Sequence, residues 1–252
     1  MGTALITGAS SGLGLEFAWQ LATRRHNLVL VARDAQRLDA SADRIRAAAG
    51  VNVEIMAEDL AKRRAVDRVA ERLASDDGPV GLLVNNAGYG TSLSFLEAPI
   101  AASERNLDVM VRAVMVLSHA AATRMTARGR GAILNVSSVA SYTASGTYSA
   151  AKAWVTTFTE GLAVELSGTG VTATAVLPGL TRTEFHARAG VDTSAYPEWC
   201  WLAPSQVVAR ALADVRRGAV LSTPSLRYQL ACQAARLAPR TVIRALPGAT
   251  GR

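Results

Sequence analysis

The chain has 252 residues, half of them hydrophobic, and a formal net charge of +7 with a sequence pI near 10.1. Its length suits one α/β domain with a large core, expected to span residues 1–252. No apolar run reaches the ~18 residues a membrane-spanning helix needs, and a basic balance carried by scattered arginines without a nucleic-acid motif argues for solvated faces, not a nucleic-acid surface.

Thr3 opens the first strand pattern, leaving no room for a signal peptide. That strand covers residues 4–7. A glycine-rich turn, Thr7-Gly8-Ala9-Ser10-Ser11-Gly12-Leu13-Gly14, follows and opens a helix over 13–24. Further strands are expected at 28–32, 51–56, 82–85, 132–136, 172–177 and 219–222. Helices are expected between them at 35–49, 63–74, 102–127, 149–166 and 205–217. The strands are continuous apolar runs, as a sheet covered on both faces requires. Strand–helix alternation predicts right-handed crossovers and an α/β, doubly wound parallel sheet of Rossmann type, with about seven strands and helices on both faces. Cys200 and Cys232 are too few and too far apart for a disulfide scaffold, so a reducing cytoplasm is the expected compartment.

Only Lys62 and Lys152 interrupt the use of arginine for positive charge, and Lys152 lies four residues after Tyr148. That spacing puts phenol and ammonium on one helix face. A phenol ordinarily titrates near ~10. A close cation favours phenolate, making a general acid/base for carbonyl–alcohol chemistry. The glycine-rich turn sits between a first strand and a first helix. Helix N-terminal amides there can hold a diphosphate.

These features, with Asn85-Asn86-Ala87-Gly88, Ser138 and Pro178-Gly179, appear in one order from about Thr3 to about Thr183. Together they resemble the short-chain dehydrogenase/reductase family. The resemblance implies Tyr148 as acid/base, Lys152 as the residue that binds nicotinamide-ribose hydroxyls and lowers the phenol pKa, and Ser138, not Ser137, as the group polarising the substrate oxygen. It implies that Gly8, Gly12, Leu13 and Gly14 hold the diphosphate, and that Asn86, Ala87 and Gly88 line the adenosine-ribose side. Asp59 with Leu60 would meet adenine, though Asp59 equally suits a turn or helix cap. Pro178, Gly179, Thr181 and Thr183 would lie near nicotinamide and diphosphate. At the end of the second strand Ala32-Arg33 replaces the acidic residue that NAD selection uses. A guanidinium there favours the 2′-phosphate of NADP over NAD, with Ser10 or Ser11 adding a hydroxyl, while Asp34 caps the next helix.

The resemblance has departures. Ser138 and Tyr148 are ten residues apart, closer than the family pattern implies. Met110 stands where many members carry an Asn that holds a water against the lysine. A thioether cannot do this, which makes an NADP-binding protein with impaired turnover the alternative to an active enzyme. Asn106 lies one turn earlier with a different direction.

The variable substrate loop, about residues 184–204, carries Tyr196, Trp199, Trp201 and Leu202. It suits a hydrophobic substrate, a lid, or aromatic packing under a loop. The C-terminal extension, about residues 223–252, interleaves Arg227, Arg236, Arg240 and Arg244 with apolar residues. A closing amphipathic helix is the expectation, contact with a membrane surface or acyl substrate the alternative. His119 and His186 read as structural or surface residues. No His/Cys/carboxylate group has metal-ligand spacing, and no G-x-S-x-G elbow accompanies Ser138. By family analogy the helices at 102–127 and 149–166 would pack against a second subunit, giving a homodimer or homotetramer.

Overall fold

The computed structural model describes residues 2–90, 93–194 and 196–245. The remainder of the C-terminal extension and one residue of the substrate loop lie outside the described residues.

Seven parallel strands form one sheet: β1 (Thr3–Thr7), β2 (Asn27–Ala32), β3 (Val53–Ala57), β4 (Val80–Asn85), β5 (Gly131–Val136), β6 (Val171–Val176) and β7 (Leu221–Ser222). Their order is β3-β2-β1-β4-β5-β6-β7. The chain therefore reverses direction across the sheet between β1 and β4, and the crevice at that switch point is where α/β sheets bind ligands.

Successive strand residues feed opposite cores. Ala4 and Ile6 pack with Phe17 and Leu21 of α1 (Gly12–Thr23), Leu38 and Ile45 of α2 (Ala35–Ala49) and Leu212 near the chain's far end. Leu5 packs on the other face with Val66 and Leu73 of α3 (Arg63–Ala74), and with Leu117 and Met125 further along. Both sheet faces are dry, which explains the unbroken apolar runs.

The long helix expected at 102–127 is three pieces: α4 (Ile100–Leu107), one π-helical turn (Asp108–Arg112) and α5 (Ala113–Ala127). Met110 sits inside the π turn, fully buried. Next comes α6 (Gly146–Glu165), then α7 (Phe185–Ala189) in the substrate loop and α8 (Pro204–Arg216). Among the described residues the C-terminal extension forms two helices, α9 (Leu226–Leu237) and α10 (Arg240–Ala245), parted at Pro239. The expected closing amphipathic helix is thus corrected, and α9 turns its leucines outward.

Polar groups fix the sheet centre. Asn85 Nδ2 donates to Asn135 Oδ1 at 2.9 Å and Ser118 Oγ at 3.1 Å, and Asn135 Nδ2 donates to Thr159 Oγ1 at 2.9 Å. This ladder ties β4, β5, α5 and α6 together with its buried amides paired.

Candidate active site

The ends of β1 and β4 are stitched at the switch point. Thr7 Oγ1 accepts from the Asn86 and Ala87 amides at 2.9 and 3.0 Å, and Asn86 Nδ2 donates to Thr7 O at 2.9 Å and Gly8 O at 3.3 Å. Gly8 has φ +66°, and a Cβ there would fall 2.9 Å from Asn86 Nδ2. A Cβ on Gly14 would lie 2.1 Å from Gly8 O. Glycine is thus required by close approach, and the turn keeps a bare backbone cradle at the N-terminus of α1. Ser11 is the N-cap there without a side-chain cap bond, and the Leu13 amide is in the first turn. Ser10 is half-buried in the same turn. The cradle fits a diphosphate.

At the end of β2, Arg33 is exposed and Asp34 caps α2, accepting from the Arg37 amide at 3.0 Å. The Asp59 carboxylate accepts from the Ala61 amide at 3.2 Å and pairs with Arg105 at 2.8 Å. Burial pushes Asp59 up, but the Ala61 amide and Arg105 outweigh it and hold the carboxyl below its ordinary range. Leu60 is buried in the core, so only its backbone is available to a ligand.

Tyr148 and Lys152 share one face of α6. Lys152 Nζ donates to Val136 O at 2.7 Å and lies 5.8 Å from the Tyr148 ring centroid. Ser138 stands close enough to the phenol to lower its pKa, and its hydroxyl accepts from the Ala140 amide at 3.1 Å. Ser137 faces away: its hydroxyl donates to Lys152 O at 2.8 Å and pairs with Thr156 at 2.7 Å, a purely structural role. The shortened connection from Ser138 folds into a 3-10 turn (Val139–Tyr142), and Thr143 and Ser149 hydroxyls close it at 2.9 Å. The contraction is absorbed without separating Ser138 from Tyr148.

Burial dominates the electrostatics at the phenol and the ammonium. Burial pushes Tyr148 up to about 12, only partly offset by the Ser138 hydrogen bond. Burial pushes Lys152 down to about 8. Lys152 Nζ stands 5.8 Å from the ring centroid, and burial is the larger influence on both groups. At neutral pH the phenol is a proton donor, the state that carbonyl reduction needs.

Met110 presses toward this lysine. A Cβ on Gly88 would lie 3.3 Å from Met110 Sδ and 3.6 Å from Lys152 Nζ, so sulfur and ammonium flank the same glycine. Asn106 turns elsewhere, donating to Tyr89 O at 3.1 Å.

Of the expected nicotinamide-side residues, Pro178 O accepts from the Val139 amide at 3.1 Å, Gly179 lies under the Tyr228 ring, and Thr181 turns onto its own loop, donating to Gly179 O at 2.9 Å. Thr183 packs on the cradle, on the diphosphate side, 3.4 Å from where a Gly12 Cβ would be.

Three features escaped sequence reasoning. Phe185 of α7 lies 5.8 Å from Tyr148, ring to ring, and continues through His186 to Trp201. It forms the apolar wall at the phenol, whereas Trp199 is 65 % exposed and Leu202 buried in the fold. Glu184 forms a two-pronged pair with Arg37, both contacts at 3.2 Å, and also pairs with Arg188, whose other nitrogen donates to Ser11 at 3.0 Å. This bridge ties α7 across the cradle to α2. Finally, Tyr228 Oη accepts from the Leu180 amide at 3.1 Å and donates to Cys200 O at 2.8 Å, holding both ends of the substrate loop. The sequence held little signal for these: Arg188 follows Glu184 by four residues, but Arg37 lies 147 residues away from it, and the extension holds one tyrosine.

A family model described as short chain dehydrogenase matches residues 2–193. Galactitol 2-dehydrogenase (L-tagatose-forming) of Cereibacter sphaeroides is 31% identical over 89% of this chain and 89% of that protein. A solved short-chain dehydrogenase from Sphingobium yanoikuyae in complex with NADPH is 37% identical, covers 98% of each chain and superposes with a TM-score of 0.86. A bulky-bulky ketone specific alcohol dehydrogenase from Comamonas testosteroni is 33% identical over 98% of this chain and 97% of its own, with a TM-score of 0.82. With the sheet order and the Tyr148–Lys152 geometry, these matches identify the chain as a member of the short-chain dehydrogenase family and an NAD(P)-dependent oxidoreductase.

Proposed function

We propose that the protein interconverts an apolar ketone or aldehyde with its alcohol and prefers NADP to NAD. Tyr148 gives its proton to the carbonyl oxygen during reduction and removes it in oxidation, while Ser138 hydrogen-bonds that oxygen and withdraws charge from the carbonyl carbon. The bound dinucleotide would supply or accept the hydride. Gly8, Gly12, Gly14 and the Leu13 amide would hold its diphosphate, Asn86, Ala87 and Gly88 its adenosine side, and Lys152 the ribose beside nicotinamide.

The observation that carries the reading is the convergence of a half-buried Tyr148 with Ser138, with Lys152 on the same helix face and with the Phe185 ring 5.8 Å away. NADP preference rests on Arg33 and Arg37 flanking the β2 end, where no acidic side chain precedes Asp34, itself engaged as a helix cap. The NADPH bound by the Sphingobium relative and the bulky ketone named for the Comamonas enzyme support the same choices. A homodimer or homotetramer through α5 and α6 would cover Met115 and Val164, which are 45 % and 76 % exposed. The two free cysteines suit a reducing cytoplasm.

Following NADPH and NADH oxidation against a panel of aromatic and long-chain ketones tests this. The expected result is faster turnover with NADPH and with bulkier apolar ketones. Equal use of both cofactors, or preference for polyols and sugars, would refute the cofactor or the substrate part.

A further inference from the structure

A helix that closes a fold turns its apolar side inward, and α9 does the reverse. Its buried contacts come from Tyr228 and Cys232, whereas Leu226, Leu230 and Leu237 are 77, 67 and 87 % exposed. At about 100° per residue, Leu230 lies roughly 40° and Leu237 roughly 20° around the axis from Leu226. The three leucines therefore form one ridge at the outermost line of the helix. Arg227 stands roughly 100° to one side and Arg236 roughly 80° to the other. The Arg227 guanidinium lies 6.0 Å from the ring of Trp199, itself 65 % exposed. Residues 218–252 contain Arg227, Arg236, Arg240, Arg244 and Arg252 and no Asp or Glu.

This charge pattern decides what covers the ridge. A second copy meeting it about a two-fold axis would set arginine rows against the same arginine rows, with no carboxylate in the segment to pair them. An anionic bilayer offers both complements, phosphate for the flanking guanidiniums and hydrocarbon for the leucines. Exposed Trp199 at the ridge's margin suits the headgroup boundary. We propose that α9 lies flat on an anionic phospholipid surface, with Leu226, Leu230 and Leu237 inserted and the arginines at the headgroups.

Cosedimentation of the full chain with vesicles tests this, comparing phosphatidylcholine alone with phosphatidylcholine containing phosphatidylglycerol. Binding is expected to the anionic vesicles at least about ten-fold more tightly than to the neutral ones, to weaken with added salt, and to shift tryptophan emission to the blue. Leu230→Glu should weaken it by about ten-fold or more while leaving the unfolding temperature and NADPH binding unchanged. Should that variant unfold, Leu237→Ser supplies the same test at the helix end. Absence of binding to anionic vesicles, or undiminished binding by the ridge variant, overturns the proposal. So does a light-scattering mass that falls in Leu230→Glu, since the ridge would then be covered by a second copy.

Discussion

Replacing Tyr228 by Phe removes one oxygen and keeps the ring over Gly179, where a Cβ would fall 2.1 Å from it. Two hydrogen bonds are lost, from the Leu180 amide and to the Cys200 carbonyl. Each contributes about 1 kcal/mol net, and more if the partner is left dry. Both partners are only partly buried, so water satisfies part of the deficit and the total is about 1–3 kcal/mol. If the loop neck unfolds with the domain, the unfolding temperature falls by roughly 2–10 °C for a chain of this size. If it opens locally, the same energy raises the open population about 5- to 150-fold. Tryptic cleavage at Arg182 or Arg188 reports that opening, because both lie within the loop that Tyr228 closes. The backbone bonds Leu202 N to Leu180 O at 2.8 Å and Arg182 N to Leu202 O at 3.0 Å remain in the variant, so the loop loosens without detaching. An unchanged unfolding temperature together with unchanged cleavage would refute the role given to the extension.

Further outcomes follow from the same geometry. Arg37→Ala should weaken NADPH binding by several-fold with little effect on NADH, while Glu184→Gln, which frees Arg37 and Arg188, should tighten NADPH binding about two- to five-fold, the small size reflecting exposed ion pairs; titration calorimetry measures both. Met110→Asn should raise kcat where proton delivery limits turnover, and an unaltered pH–rate profile in that variant would count against a relay deficit. Reductive turnover should fall as pH rises through about 8, where Lys152 loses its charge. For stability the sign is opposite. The folded lysine titrates below its ordinary 10.5, so between about pH 8 and 10 the unfolded chain binds more protons and Lys152's contribution grows with pH, by up to about 2–3 kcal/mol. Comparing urea unfolding of the wild type and Lys152→Met across that window isolates it.

The sheet was legible because burial on both faces leaves an unbroken apolar signature in every strand, and because the glycine-rich turn and Asn86-Ala87-Gly88 owe their residues to backbone approach. The π turn was not legible. One widened turn at Asp108–Arg112 leaves the apolar spacing of the surrounding helices nearly intact, so it reads as continuous α-helix. The direction of the Tyr148 shift was also hidden, since spacing gives the neighbouring cation but not how far water is excluded from the phenol. Ser138 could be chosen over Ser137 by position, and the structure gives the physical reason: Ser137 is spent on Lys152 O and Thr156. In α9 the interleaving of arginines with apolar residues predicted an amphipathic helix without showing which side met the fold. Small and polar residues, Tyr228 and Cys232, took the inner face because the neck of the substrate loop lies there.

The central claim is that the Tyr148 phenol delivers the proton at the substrate oxygen. Single-turnover NADPH oxidation with a reactive apolar ketone, in wild type and Tyr148→Phe, tests it most directly. The account predicts a rate lower by about 10²–10⁴-fold, with NADPH affinity and unfolding temperature essentially preserved. A Tyr148→Phe variant that turns over within a few-fold of the wild type would contradict it.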